Sequence, residues 1–398
     1  MKLDVVRLAQ QLVRIPSLNP MNRPVSGPEY LEGRVTDFLQ QLVSRDLGLP
    51  CERHPVLPGR DNLITRLEGL GDLAHQTLLL EVHQDTVPVD GMTIAPFAAQ
   101  LEDGRIFGRG SCDVKGGMSA FLTTIGRLMD EPTSHRPTIV VAFTVNEENG
   151  FDGVKHLRDL WQSGKSRLLP AAPTAAIVAE PTELDVVVAH KGTIRWQCHA
   201  RGRAAHSSNP SAGDNAIYRM GKALEALAKY AQNGFPPQLS HPLVGRPSLS
   251  VGTIQGGVSV NTVPDHCVIE IDRRLLPDES AAEARSHLEN YLAEHLGDPL
   301  IEHAAPFLTS PALSSARNGS LAGSLEQTLR KHGLPGRSKG VPFGTDAGTI
   351  SGAGVPVVVF GPGSIEQAHT KDEWIAVDSL EASVEVLVDF CRQPLPQA

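Results

Sequence analysis

The sequence predicts an α/β protein: a mainly parallel sheet covered by helices, with a smaller α+β unit inserted into it. Three observations carry this. Four short runs, at 77–82, 138–145, 175–179 and 355–360, are rich in Val, Ile and Leu and do not alternate, as expected of parallel strands covered on both faces. Segments of helical periodicity, GGMSAFLTTIGRLMD (116–130) and FDGVKHLRDLWQ (151–162), separate the first three runs, the order that builds an α/β layer. In the middle of the chain GTIRWQCHARG (192–202) and HCVIEIDRR (266–274) alternate instead, which predicts antiparallel strands with one wet face.

Taken in order, MKLDVVRLAQQLVRIPS opens with polar residues Asp4, Arg7, Gln10 and Gln11 inside its first turns. It reads as an amphipathic helix and not as a signal peptide. The α/β pattern then runs to about residue 189. Amphipathic helices at 215–232 and 280–296 interleave with the alternating strands, and SVGTIQGG and SVNTVP offer further strands. These place the inserted unit at 190–306. The larger domain, 1–189, resumes at 307–398 with SLAGSLEQTLRKHG as helix and VPVVVF as strand. Repeats and low-complexity stretches are absent, and the tail QPLPQA reads as loose.

The 398 residues carry a formal net charge of -9 with both signs mixed. No Lys/Arg cluster suggests a nucleic-acid or anionic-membrane surface, so a small solute is the expected partner. Five cysteines, an odd number without C-x-x-C spacing, fit a reduced compartment. The longest apolar run, near TIVVAFTV, is far too short to span a bilayer. The expectation is a soluble, cytoplasmic protein.

Ligands of open α/β sheets bind beyond the carboxyl ends of the strands. After the four runs come His83-Gln-Asp85, Asn146-Glu147-Glu148-Asn149-Gly150, Glu180-Pro181-Thr182 and GPGSIEQAHT, ending at His369. GRGSCDVKGG adds Asp113. Singly, each has an ordinary explanation: a capped histidine, solvated loop acids, an N-cap at Asp113, a turn residue at Glu180, a small buried thiol at Cys112. Together they put two imidazoles and several carboxylates at one sheet edge, where carboxylates repel unless something positive holds them. Imidazole and carboxylate suit Zn²⁺, and also Mn²⁺ or Co²⁺. Five ligands exceed one open zinc site but serve two ions sharing a bridging carboxylate, which remain electrophilic. His83 is then a ligand, and Asp85, two residues on along an extended segment, accepts the other imidazole N–H and fixes the tautomer.

HQDTVP, GRGSCDVKGG, NEENG, AEPT, HKG, RAAHSS, GTDAG and GPGSIEQAHTKDE stand in the order seen in the M20 metallopeptidases, which this chain resembles from RIPSLNP to KDEWI. It is most similar to the acetylornithine deacetylase and succinyl-diaminopimelate desuccinylase branch. The resemblance implies a mainly parallel di-metal catalytic domain with an inserted α+β lid and dimerisation domain. It implies Asp113 as the bridge, His83 and Glu180 completing one site, and Glu148 and His369 the other. Glu147 matches the general base that takes a proton from water and passes it to the leaving amine. His206 matches a histidine that reaches the active site of the partner in a homodimer and stabilises the oxyanion. Asn261 and Arg274 match positions that hold substrate. Arg274, chosen over Arg273 because the family pattern is Asp-x-Arg, suits bidentate carboxylate binding, although an ion pair with Asp272 would equally explain it. Thr345 is a candidate partner for a substrate carboxylate, while Asp346 caps or stabilises its loop. Lys191 and Gly192 fit the hinge into the lid, and Gly116, Gly117, Gly361 and Gly363 permit tight loops.

The expected reaction is di-zinc-dependent hydrolysis of the amide of an N-acyl amino acid, with cobalt or manganese as other metals. A dipeptidase or carboxypeptidase of the same family uses the same chemistry. A non-catalytic binding protein on this fold predicts a missing ligand or base, and none is missing. A nucleophilic enzyme using Cys112 would need a histidine partner and would resist chelators.

Overall fold

The computed structural model describes residues 3–130 and 133–396; Met1 and Lys2 of the first predicted helix, and Gln397 and Ala398 of the tail, lie outside them. The chain divides into two compact units. One comprises Met1–Val188, Ser314–Gly340 and Thr345–Ala398; the other comprises Ala189–Leu313 and Val341–Gly344. The second unit thus runs seven residues past the expected 306 and takes back a short return segment. Its extra residues include a strand, Leu308–Ser310, that pairs with Gly192–Arg201.

In the larger unit the four apolar runs become neighbouring strands. Thr138–Thr144, Thr77–His83, Ala175–Val178 and Val357–Val359 lie side by side and parallel at the centre of an eight-stranded sheet. Strand geometry sends Leu78 and Leu80 to one face and Leu79 to the other, and all three are fully buried. Burying each such side chain contributes about 1.5–3 kcal/mol. The sheet is extended by Cys51–Leu57 and Arg60–Leu67 on one side and by Val186–His190 and Ser338–Val341 on the other. Three of these carry Pro55, Arg53, Asp61 and Lys339 and lack the apolar run that marks the centre, whereas Val186–His190 is as apolar and buried as the central strands. Helices Gly116–Asp130, Val5–Val13 and Val377–Phe390 pack around the core. The first helix is capped by Asp4, whose carboxylate accepts the Arg7 N–H at 2.9 Å. The tail is held as far as Leu395, which exchanges two hydrogen bonds with the Gln76 side chain. The expected looseness therefore does not apply there.

The smaller unit has an antiparallel sheet in the order Ser248–Gly256, His266–Leu275, Gly192–Arg201, Ile301–His303. Burial alternates strictly along His266–Leu275: Ile269 and Ile271 join Trp196, Met220, Leu227 and Leu288 in the core, and the opposite face is polar. Helices Ala216–Lys229 and Ala281–Leu296 begin at Asn215 and Ser280, whose side chains accept N–H groups of the first turn, as good N-caps do. SVNTVP yields only Thr262–Val263, which pairs with Ala205–His206 in a separate two-stranded ladder.

Candidate metal centre

The parallel strands of the larger unit end together, and their loops carry the acids and imidazoles. His83 closes its strand. Its Nε2 lies 3.2 Å from Asp113 Oδ1 and 3.9 Å from Glu180 Oε1. On the other side of the same carboxylate, Asp113 Oδ2 lies 3.3 Å from His369 Nε2, which is 3.2 Å from Glu148 Oε2. Each triad, His83–Asp113–Glu180 and Asp113–Glu148–His369, has its donor atoms within 4.8 Å of one another. Donors around a tetrahedral ion at about 2.1 Å stand roughly 3.4 Å apart, so both triads fit a divalent cation, with the two oxygens of Asp113 divided between them.

The electrostatics point the same way. Burial pushes Glu180 and Glu147 well above the usual carboxylate range and raises Glu148. Burial alone would depress the imidazoles, yet the bonds to Asp113 and the surrounding carboxylates hold His83 well above its ordinary value. His369 is pushed up to about 11 by Asp113 and Glu148, against the effect of burial. The two histidines in turn overcome burial to hold Asp113 low. Apart from Asp113, these acids and imidazoles all favour bound protons, as in a pocket short of positive charge, which divalent ions would supply.

Asp85 departs from expectation. The His83 Nδ1 lies 2.9 Å from the main-chain carbonyl of Asp85 and 3.7 Å from its carboxylate. The carbonyl therefore fixes the tautomer. The carboxylate is occupied elsewhere: it accepts the N–H groups of Glu147 (3.1 Å) and Glu148 (3.2 Å) and the Asn19 amide (2.7 Å). Asp85 thus holds the loop that carries Glu147, which belongs to neither triad and is 8% exposed. Behind it, the buried Arg60 pairs with Glu32 and donates to the Asn146 side chain at 2.8 Å, and Glu32 accepts the Asn146 N–H.

Asp113 is not an N-cap. It lies in a turn, Ser111–Lys115, and the helix begins at Gly116. At the other helix start the capping contact comes from Thr345, while Asp346 is held by neighbouring side chains. Thr345, fully buried, accepts the Ala347 N–H through its hydroxyl. Asp346 takes a hydrogen bond from Thr144 and shares another with Glu81; burial lifts Asp346 to about 6 and Glu81 well above its usual range. Two glycines are needed where expected. Gly363 has φ +87°, and a Cβ there would stand 2.6 Å from Cys112 Sγ; a Cβ on Gly361 would stand 2.6 Å from the Glu180 carbonyl. Burial and the charges of Glu373 and Asp113 push the Cys112 thiol well up, and its Sγ is engaged with the Ser364 carbonyl at 3.2 Å. A thiol so placed is a poor nucleophile.

The remaining candidates lie in the smaller unit. His206 and Asn261 come together: the two-stranded ladder pairs His206 with Thr262, and the Asn261 carbonyl accepts the Ser207 N–H at 3.0 Å. His206 is exposed and its Nδ1 accepts the Ser208 N–H at 3.1 Å, so the neutral ring carries its proton on Nε2. Arg274 lies on the polar face of the sheet, its Nε 2.9 Å from Asp272 Oδ1, while Arg195 holds Oδ2 at 2.8 Å. The ion pair is therefore present. Arg273 points into the core, paired with Glu279 and stacked over Phe235.

A sheet edge presenting two triads about a shared carboxylate, with a spare buried acid beside them, defines a metal-dependent hydrolase centre. The profile of peptidase family M20/M25/M40 matches residues 79–393. An acetylornithine deacetylase of Edwardsiella ictaluri is 30% identical over 360 residues, 87% of this chain and 88% of that one. An M20 family metallo-carboxypeptidase of Sulfolobus solfataricus superposes with a TM-score of 0.76 at 18% identity, covering 98% and 99% of the two chains. A dinuclear metal-binding M20 peptidase of Bacillus subtilis does so with a TM-score of 0.66 at 15% identity, covering 99% and 98%. The chain belongs to peptidase family M20/M25/M40 and is a hydrolase of that family. Among the described residues, no helix is long and apolar enough to cross a membrane.

Proposed function

We propose that this chain hydrolyses the amide bond of an N-acyl amino acid with two divalent metal ions, zinc above all, held by His83, Asp113, Glu148, Glu180 and His369. The observation that carries the reading is the division of Asp113: one oxygen faces His83 and the other faces His369. Imidazole and carboxylate donors suit zinc and also accept cobalt or manganese. Ions bound there supply a Lewis acid to the scissile carbonyl and acidify water. Glu147, kept out of both triads by the grip of Asp85 on its main chain, takes the proton of the attacking water and returns it to the leaving amine.

His206, exposed with its donor on Nε2, supplies a hydrogen bond to the oxyanion from a partner subunit in a homodimer. Asn261 beside it and Arg274 hold the substrate. Dimerisation through the smaller unit is supported by Ser248–Gly256, which ends its sheet, and by the exposed Tyr218, Ile254, Val258 and Val260 near it. A free edge with apolar side chains invites pairing with a second chain. The relatives named acetylornithine deacetylase favour an N-acyl amino acid; a dipeptide would use the same centre.

The test is a substrate screen on chelator-stripped and metal-restored protein. N-acetylornithine, N-succinyl-diaminopimelate, other N-acyl amino acids and dipeptides would each be assayed. Activity on an N-acyl amino acid that disappears with the metal and returns with two equivalents supports the reading. Activity untouched by stripping overturns the metal role, and activity on dipeptides alone overturns the substrate class.

A further inference from the structure

We infer that the buried pair Arg109–Glu373 is the positioning element that holds the metal-binding loops in register, acting through Asp113. The two residues are 264 apart in sequence, yet Arg109 Nη1 lies 2.5 Å from Glu373 Oε2. Both are buried, with Glu373 fully so. Each end of the pair grips main chain. Glu373 Oε1 accepts the N–H of Cys112 at 2.9 Å and of Asp113 itself at 3.0 Å, and Oε2 accepts the N–H of Gly110 at 3.1 Å. Arg109 donates through Nε to the Pro88 carbonyl and through Nη2 to the Thr370 carbonyl, both at 3.2 Å.

Those contacts reach three segments. Pro88 lies five residues beyond His83, in the loop that follows it. Gly110 to Asp113 is the turn that presents the bridging carboxylate. Thr370 is the neighbour of His369. One ion pair therefore ties together the chain segments that bear His83, Asp113 and His369, and neither of its members stands in either triad. A carboxylate has enough lone pairs for three converging N–H groups and a guanidinium, and the guanidinium has a donor for each of its three acceptors. Lysine could not make the three contacts of Arg109 from one ammonium. Glutamine in place of Glu373 would keep one accepting oxygen and turn an NH₂ toward groups that can only donate. Groups that orient the ligands of a metal commonly alter its affinity 10–100-fold. Asp113 serves both triads, so the effect must reach both ions.

The inference rests on the two-metal reading above, and its test separates the two. Chelator-stripped wild-type protein, Glu373→Gln and Arg109→Lys would be titrated with cobalt(II) alone, against a competing chelator and with the visible absorption of bound cobalt as the readout. Circular dichroism and melting would report folding. Glu52→Gln serves as the control. Its carboxylate likewise holds a remote loop, through Ser166 and the Arg167 N–H. The expected result is two cobalt ions in wild type and in Glu52→Gln, with affinity about 10–100-fold weaker at both sites and an altered absorption band in folded Glu373→Gln. A folded Glu373→Gln that binds two ions as tightly as wild type, with an unchanged band, overturns the inference and leaves the metal centre standing. Wild type that binds no pair of ions overturns the two-metal reading itself. Should Glu373→Gln fail to fold, Arg109→Lys decides by the same criterion. A purely structural pair would lower the melting temperature and leave affinity unchanged, which also counts against the inference.

Discussion

The larger unit and the smaller one carry their candidate residues in opposite ways. At the sheet edge, His83, Asp113, Glu147 and Glu180 are each no more than 8% exposed, with His369 at the open rim at 52%, and their loops are cross-tied by Asp85 and Glu373. In the smaller unit His206 and Asn261 are exposed on a short ladder, and Arg274 is already paired with Asp272. The difference is physical. A cluster of like charges must be held in place by surrounding structure before a cation can use it. Groups that meet a substrate late can wait in water at small cost. The first set is clustered already, whereas the second, on the reading proposed above, acts only when something is brought to it.

If that contrast holds, the largest losses come from the buried set. Asp113→Ala should bind neither ion tightly and lose at least about 10³-fold in kcat, because both Lewis-acid positions depend on it. Metal analysis showing two ions per chain in this variant would break the bridging assignment. Glu147→Ala should keep both ions and lose about 10²–10⁴-fold in kcat, the usual share of a general base. Near-normal kcat in a metal-replete sample would remove Glu147 from the chemistry.

The exposed set should cost less. His206→Ala should retain metal and lose about 10²–10³-fold in kcat, as for one oxyanion donor. Mixing it with Glu147→Ala subunits sharpens the comparison. Random re-association makes half the dimers mixed, each with one intact site, so roughly a quarter of wild-type activity should return. A verified heterodimer with no recovery would deny the cross-subunit role. Arg274→Ala should chiefly raise KM, by about 10–100-fold, the worth of a charged hydrogen bond to a carboxylate. An unchanged KM would leave Arg274 as no more than the partner of Asp272.

The same contrast explains what could be read from sequence. The central strands were legible because burial on both faces leaves an unbroken apolar run, and most of the candidate ligands stand out because they follow those runs. The hairpin of Cys51–Leu57 and Arg60–Leu67 was not, since Pro55 and its charges hide the pattern. Helix Val377–Phe390 was also missed, although Asp378, Glu381, Glu385 and Asp389 recur at helical spacing opposite the buried Leu380, Val384, Leu387 and Val388, which is the polar face that reveals a helix. The spacing of His83 and Asp85 correctly suggested proximity but could not say which oxygen meets the ring. Arg109 and Glu373 stand inside GRGSCDVKGG and GPGSIEQAHTKDE, but nothing in a one-dimensional reading joins residues 264 apart. Arg60, Glu32 and Asn19 were silent for the same reason. Supporting contacts are made by tertiary closure, and only the ligands they support carry a local pattern.

The smallest effect lies in the smaller unit and concerns stability. His190 is fully buried, its Nδ1 lies 3.0 Å from the Lys191 carbonyl, and its Nε2 has no hydrogen-bond partner. The ring therefore donates from Nδ1 and is neutral, and burial pulls its pKa down to about 4. Between the unfolded value near 6.5 and this folded value, the unfolded chain takes up a proton that the folded chain refuses. Stability consequently falls as pH drops through that window, by about 2 kcal/mol at pH 5 relative to neutral pH. His190→Asn removes the titrating group, so its urea midpoint should decline less than that of wild type between pH 7 and pH 5, whatever its starting stability. Both proteins must be compared without metal at both pH values, so that loss of ions on acidification adds to neither decline and the contribution of the centre is common to both. Parallel declines would mean that the imidazole finds a partner for its second nitrogen and is not held neutral by burial.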